Sequence, residues 1–286
     1  MHISFVIQDL YRQGAQYVTA LLANGLAKKG HTIDVVVSGV HTLLKHQRRD
    51  LVPFALDKTV NLIELPHSRA SMNVMPLRRF FIKKRPDIVM PMSSTYEPSC
   101  VIARRFILHK NRPKIVPVEH SGGIGMKSSE SKVVSQPGVL RKLFGLLKFP
   151  PGDHIIAVSK GVASALRADS KYSPESISVI PNPVIDDLFW EKHKQPSMHP
   201  WLKEKKLPVI IAAGSHVPLK GYDILIKAFA LVIQRIPCQL IIFGEGPETG
   251  SYIQLAKSLH MESNVSFPGH TNALPAELKN ADLFVV

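Results

Sequence analysis

The sequence lacks the features that commit a chain to several common classes. Only two cysteines occur, Cys100 and Cys238, far apart and without a Cys-x-x-Cys spacing. That argues against a disulfide framework or a zinc site. No apolar run approaches the ~20 residues of a membrane helix. The opening apolar stretch is broken by Gln8 and Asp9 and is shorter than the ~7–15-residue core of a secretory leader. The 22 Pro and 17 Gly are scattered, so there is no low-complexity tract, and no internal period suggests a solenoid. Together these point to the reducing cytosol.

Acidic residues are also scarce. The chain carries 36 Lys and Arg against 22 Asp and Glu, a net charge of +14. The imbalance is local: residues 1–186 hold 26 cations against 13 acids, and residues 187–286 hold 10 against 9. A positive field over the first part attracts polyanions: nucleic acid, phosphorylated ligands or an acidic membrane face. No aromatic-basic recognition motif accompanies it, so nucleic acid is not an expected partner.

What is present is a globular alternation. With 45% hydrophobic and 20% charged residues, the chain can build real cores. Apolar strands are expected at His2–Gln8, His31–Ser38, Thr59–Leu65, from Pro86, at Lys114–Val118 and at His154–Ser159. Helical stretches separate them at Gly14–Lys29, Met75–Lys84, Tyr96–Lys110 and Lys160–Ala168. Such alternation predicts a parallel sheet covered on both faces. After a strand from Ile177, Pro181-Asn182-Pro183 breaks the pattern, and the charged, weakly periodic residues 187–207 read as a linker. A second alternation runs from Pro208 to Val286, with four strands. The expected fold class is α/β, with two doubly wound Rossmann-like domains at 1–186 and 208–286. A complete domain of this kind commonly has about six strands. The last strand here, from Ala281, is apolar to the end, so the second domain is expected to be incomplete.

Two such domains joined by a Pro-containing hinge can bind a nucleotide; the motifs sharpen this. Ala213-Gly-Ser-His-Val-Pro-Leu-Lys-Gly-Tyr-Asp-Ile-Leu-Ile-Lys-Ala-Phe resembles the family-4 glycosyltransferases, which have Gly-Arg-Leu, a short loop, Lys-Gly and Leu-Ile-x-Ala-Phe. Leu240-Ile-Ile-Phe-Gly-Glu-Gly-Pro-Glu, Val265-Ser-Phe-Pro-Gly-His and Ala281-Asp-Leu-Phe-Val-Val resemble the next blocks in order. Earlier, Gln13-Gly-Ala-Gln, Leu22-Ala-Asn-Gly-Leu-Ala-Lys-Lys-Gly-His, Ile156-Ala-Val-Ser-Lys and Val179-Ile-Pro-Asn-Pro-Val resemble the family's first-domain blocks. The resemblance implies the GT-B fold and a retaining, metal-independent transfer from a nucleoside-diphosphate sugar to a glycan or lipid-linked acceptor. That would serve synthesis of a surface polysaccharide, lipopolysaccharide or glycolipid; a sugar-nucleotide epimerase is a variant. No cofactor is expected, and the absence of an Asp-x-Asp pair agrees with there being no metal.

The resemblance also implies roles. Lys220 is expected to contact the donor's phosphates and stabilise the leaving nucleotide. Gly214 and Ser215 precede it, and Ser215 stands where the family usually has Arg, which exchanges five cationic donors for one hydroxyl. His216 is expected to be a surface loop histidine; the alternative is partial substitution for that Arg. Gly14 opens the first helix where the family has a Gly pair near the phosphates. Gly244 and Glu245 form a tight loop at a strand end, and Gly269 closes the segment that reads the nucleobase. His120 is expected to face the transferred sugar, and Glu119 to reach the acceptor. The family's acidic pair does not occur in these 286 residues, so the polypeptide is expected to bind nucleotide sugar weakly and turn over little. Met75–Arg85 places Leu77, Phe80 and Phe81 on one stripe beside five cations. The stripe is expected to pack on the sheet and the cations to favour peripheral contact with an anionic membrane, on the inner face of the cell membrane. The competing function class is a non-catalytic nucleotide-binding or membrane-associated remnant.

Overall fold

The computed structural model describes residues 1–10, 14–38, 56–107, 112–120, 151–168 and 172–286. By its contacts the chain divides into two units, Met1–Val184 and Ile185–Val286.

The first unit runs β1 (His2–Ile7), α1 (Gly14–Lys28), β2 (Thr32–Ser38), β3 (Asn61–Leu65), α2 (Val74–Lys84), β4 (Ile88–Pro91), α3 (Glu97–Arg105), β5 (Lys114–Ile115), β6 (Val118–Glu119), β7 (Ile155–Ala157), α4 (Lys160–Ala168) and β8 (Ile177–Val179). The strand orders are β3-β2-β1-β4-β5 and β6-β7-β8, with every described pair parallel. The period-2 geometry of the strands explains why their apolar runs are continuous. Val6, Val36 and Val89 pack on one face with Leu77, Phe80 and Phe81 of α2. Phe5, Ile7, Val35 and Val37 pack on the other with Val18 and Ala23 of α1. The single strand expected at Lys114–Val118 is instead two short ones, because Pro117 has no amide to place in the ladder. Backbone bonds still flank the break: Val116 N donates to Val89 O and Ile156 N to Pro117 O, both at 2.9 Å. Segment 114–119 therefore edges both sheets.

The second unit runs α5 (Asp187–His193), α6 (Pro200–Lys203), β9 (Val209–Ala213), α7 (Tyr222–Ile233), β10 (Gln239–Phe243), α8 (Thr249–Ser258), β11 (Val265–Gly269), α9 (Leu274–Asn280) and β12 (Leu283–Val285). Its sheet is parallel in the order β11-β10-β9-β12. Pro268 sits in β11 at an edge, where a missing amide is tolerated, and the register against β10 shifts there. Ala212, Leu240, Ile242 and Val265 face α7 and α8. Val209, Ile211, Ile241 and Phe243 face Leu202 of α6 and Leu274 and Leu278 of α9.

That second face corrects the expected linker at 187–207. These residues form α5 and α6 and belong to the second unit. They dock by polar bonds that hydrophobic periodicity does not reveal. Ser197 Oγ donates to Ala276 O at 2.9 Å, and Met198 N donates to the buried carboxylate of Glu277 at 2.9 Å. Asp186 caps α5 by accepting from Phe189 N at 2.8 Å, a common N-terminal signal.

Candidate functional site

The candidate site lies at the carboxyl ends of β9, β10 and β11, where ligands bind in open α/β sheets. The three loops that leave these strands are bonded to one another. Gly214 N donates to Phe243 O (3.0 Å), Gly244 N to Gly269 O (2.8 Å), His216 N to Glu245 O (3.0 Å) and Glu248 N to His216 O (3.1 Å). This stacking needs glycine. A Cβ at Gly244 would stand 2.0 Å from Gly214 O, and one at Gly246 2.4 Å from His216 O. Gly244 also has φ +121°, where side chains are strained. Two expected site glycines, 214 and 244, are thus committed to loop-on-loop contact. An open cleft of ≈ 500 Å³ is lined by Gly244, Glu245, Gly246, Thr249, Phe267, Pro268 and Gly269; Gly214 is not among its lining residues.

His216 is the largest departure from expectation. It is not a surface histidine but fully buried, its ring edge-on to Tyr222, Tyr252 and Phe267 at 5.4, 5.8 and 6.1 Å. Loop composition suggests exposure, whereas those three rings come from α7, α8 and β11 and meet only in the fold. Its Nδ1 lies 2.9 Å from Thr249 Oγ1, which donates to Gly246 O (2.8 Å) and accepts from Gly246 N (3.1 Å). With the hydroxyl proton spent on Gly246 O, Nδ1 must carry the ring proton, and Nε2 is a buried acceptor without a protein partner. Burial depresses the ring's pKa, opposed by the charge of Glu245. A neutral, buried His216 cannot stand in for the family's arginine. His216 was expected on the surface, and Gly246 and Thr249 were not picked out by sequence reasoning; the spacing Gly244-x-Gly246 was the available signal.

Lys220 ends a single 3-10 turn, Pro218–Lys220, and Gly221 at φ 63° turns the chain into α7. Only glycine adopts this left-handed conformation without strain. The Lys220 side chain lies over Gly214, its Cε 3.6 Å from where a Cβ would be. Lys220 is exposed and has no ion-pair partner among the described residues. Ser215, also exposed, lies on the same loop. The carboxylate of Asp223, in the first turn of α7, is held 3.4 Å from Lys227. Gly269 has φ +82° beside the Glu245 side chain, whose Oε1 lies 2.8 Å from its Cβ position. Six expected residues therefore share this end of one sheet: Gly214, Ser215, Lys220, Gly244, Glu245 and Gly269.

The other three expected residues belong to the first unit. Gly14 is the exposed first residue of α1, and nothing lies within 4 Å of its Cβ position; Gln13 lies outside the described residues. Glu119 ends β6 and His120 follows it. Asn182 Nδ2 lies 3.3 Å from His120 Nδ1. With the amide donating, the ring proton sits on Nε2, a buried atom with no partner among the described residues. Burial lowers the pKa of His120, against the charge of Glu119, so the ring is neutral near pH 7. A neutral imidazole with a free N–H is a hydroxyl-binding group. Among the described residues no cluster of three His, Cys, Asp or Glu side chains is gathered as a metal site requires, and no described helix is long and apolar enough to cross a membrane.

Known proteins share this architecture. YqgM of Bacillus subtilis (strain 168), an uncharacterised glycosyltransferase, is 30% identical over 145 residues, which is 50% of this chain and 37% of YqgM. The chain thus matches well under half the length of that relative. HepE of Anabaena, solved in complex with UDP and glucose, superposes with a TM-score of 0.65 at 19% identity, over 99% of this chain and 73% of that one. WaaG, a glycosyltransferase involved in lipopolysaccharide biosynthesis, superposes with a TM-score of 0.64 at 16% identity, over 99% and 74%. These superpositions establish the GT-B fold of two Rossmann-like domains. The profile for Glycosyltransferase Family 4 matches residues 12–188, and that for Glycosyl transferases group 1 matches residues 194–286: the chain belongs to the family-4 glycosyltransferases.

Proposed function

We propose that the chain carries the donor site of a glycosyltransferase. It would move a sugar from a nucleoside-diphosphate sugar to a glycan or lipid-linked acceptor, for a cell-surface polysaccharide, lipopolysaccharide or glycolipid. The observation that carries this is Lys220, a cation with no ion-pair partner among the described residues, lying over Gly214 on a loop stacked with those that line the cleft above β10 and β11. In the transfer, the bond from the sugar's anomeric carbon to the phosphate oxygen breaks, a hydroxyl oxygen of the acceptor bonds that carbon, and the hydroxyl proton is released to solvent. The nucleoside diphosphate leaves with added negative charge, and a preset cation lowers the barrier by meeting that charge. His120 would hold a hydroxyl of the transferred sugar through Nε2–H, and Glu119 would meet the acceptor. Gly14 would let phosphate approach the start of α1. Retention, independence of metals, and a cytoplasmic location with peripheral contact at an anionic membrane belong to the same reading.

UDP is the probe, because HepE holds it. In calorimetric titration the chain binds UDP, and Lys220→Ala weakens binding about tenfold or more, the loss of one charge-assisted bond. Equal affinity of both proteins contradicts the role of Lys220. Ser215 favours a second reading, a nucleotide binder without turnover, because a hydroxyl grips a diphosphate less firmly than a guanidinium. Turnover of UDP-glucose by UDP-binding protein supports the enzyme and contradicts the second reading.

A further inference from the structure

Helix α2 has two apolar sides. The expected one, Leu77, Phe80 and Phe81, is buried on the sheet. The other faces solvent. Met72, Met75 and Ile82 are 53%, 51% and 45% exposed, with Met72 on the turn Ala70–Asn73 that leads into the helix. Their spacing of three and seven residues is that of one helical stripe. Phe106, 57% exposed, adjoins it at the end of α3, tied to α2 by Arg78 Nε donating to Phe106 O at 2.9 Å.

The cations on these two helices are as unusual as the apolar groups. Arg79, Lys83, Lys84, Arg85 and Arg105 are exposed, and none has a carboxylate partner among the described residues. No Asp or Glu occurs from residue 66 to residue 86. Ordinary surfaces intersperse both signs; this one pairs exposed aliphatic and thioether groups with charge of one sign. A nucleic acid has use for the cations but little for Met72, Met75 or Ile82, and single-strand binders present several aromatic platforms. Anionic phosphates above an acyl interior match both components.

We propose that the face formed by Met72, Met75, Ile82 and Phe106 with Arg79, Lys83, Arg85 and Arg105 docks on an anionic lipid bilayer. The four apolar side chains enter the acyl boundary and the cations meet headgroup phosphates. This specifies the peripheral-membrane part of the function proposed above and is independent of the donor site. Docking would hold the first unit at the surface where a lipid-linked acceptor resides.

The test is flotation of the full chain with vesicles of phosphatidylcholine alone and of phosphatidylcholine with phosphatidylglycerol at about 3:1. Binding to the anionic vesicles is expected, with little to the neutral ones. The charge pair Arg79→Glu and Lys83→Glu weakens it about tenfold or more. The apolar pair Met75→Ser and Ile82→Ser leaves binding that high salt releases fully, whereas salt releases the wild type only in part. All four side chains are exposed, so circular dichroism is unchanged in both pairs. Equal partition to both vesicles, or binding indifferent to both pairs, overturns the proposal. So does binding to a duplex oligonucleotide that the charge pair abolishes while vesicles are ignored. UDP titration of the same preparations separates this outcome from failure of the donor site.

Discussion

Gly244 and Gly14, both expected at the site, differ in what surrounds them, and single substitutions reveal it. At Gly244 the added methyl would stand 2.0 Å from a carbonyl oxygen, at φ +121°. At Gly14 it meets nothing. Gly244→Ala is therefore expected to cost about 2–3 kcal/mol, and Gly14→Ala less than about 0.5 kcal/mol, in urea unfolding. Equal stability of the two variants contradicts the stacked loops. The same comparison shows what the sequence could convey. Gly-Glu-Gly after an apolar strand announces a tight loop, but not whether a glycine serves a ligand or a neighbouring loop. Nor could it show that His216 lies beneath the cleft, since the rings that enclose it are contributed by three separate elements.

Whole elements were legible where one face is apolar and opaque where docking is polar. The strands of the five-stranded and four-stranded sheets follow from runs such as Val35-Val36-Val37 and Leu240-Ile241-Ile242, buried on both sides. Helix α6 is too short for a periodic signal and is held by His199 instead. His199 Nδ1 accepts from Trp201 N at 3.2 Å and Nε2 lies 3.0 Å from Ser266 Oγ of β11. A proton on Nδ1 would abolish that cap. Burial depresses the pKa of His199, as it does for His120 and His216. The unfolded chain, with histidines near 6.5, therefore takes up protons that the folded chain refuses. Stability is expected to be full above about pH 6.5, to fall as pH drops from there toward the depressed folded values, and to level below them. Urea midpoints between pH 7.5 and 5 check this; midpoints that rise on acidification contradict it. His199→Gln is expected to make the decline shallower.

For the molecule as a whole, charge and chemistry divide between the units. The excess of cations in residues 1–186 includes Arg79, Lys83, Lys84, Arg85 and Arg105, exposed and without a carboxylate partner among the described residues. The nearly neutral second unit gathers six of the nine expected site residues at one sheet end. The sequence conveyed that division, because both charge and strand pattern are linear properties. It did not convey the exposed stripe of Met72, Met75 and Ile82, because a helix with two apolar sides has no single periodic face. The central claim is that a nucleoside diphosphate sits over the loops of β9, β10 and β11. Hydrogen–deuterium exchange of the full chain with and without UDP tests it most directly. Slowed exchange is expected at residues 214–223, 244–249 and 267–269, with α2 unchanged. UDP binding with no protection in those three loops would contradict it.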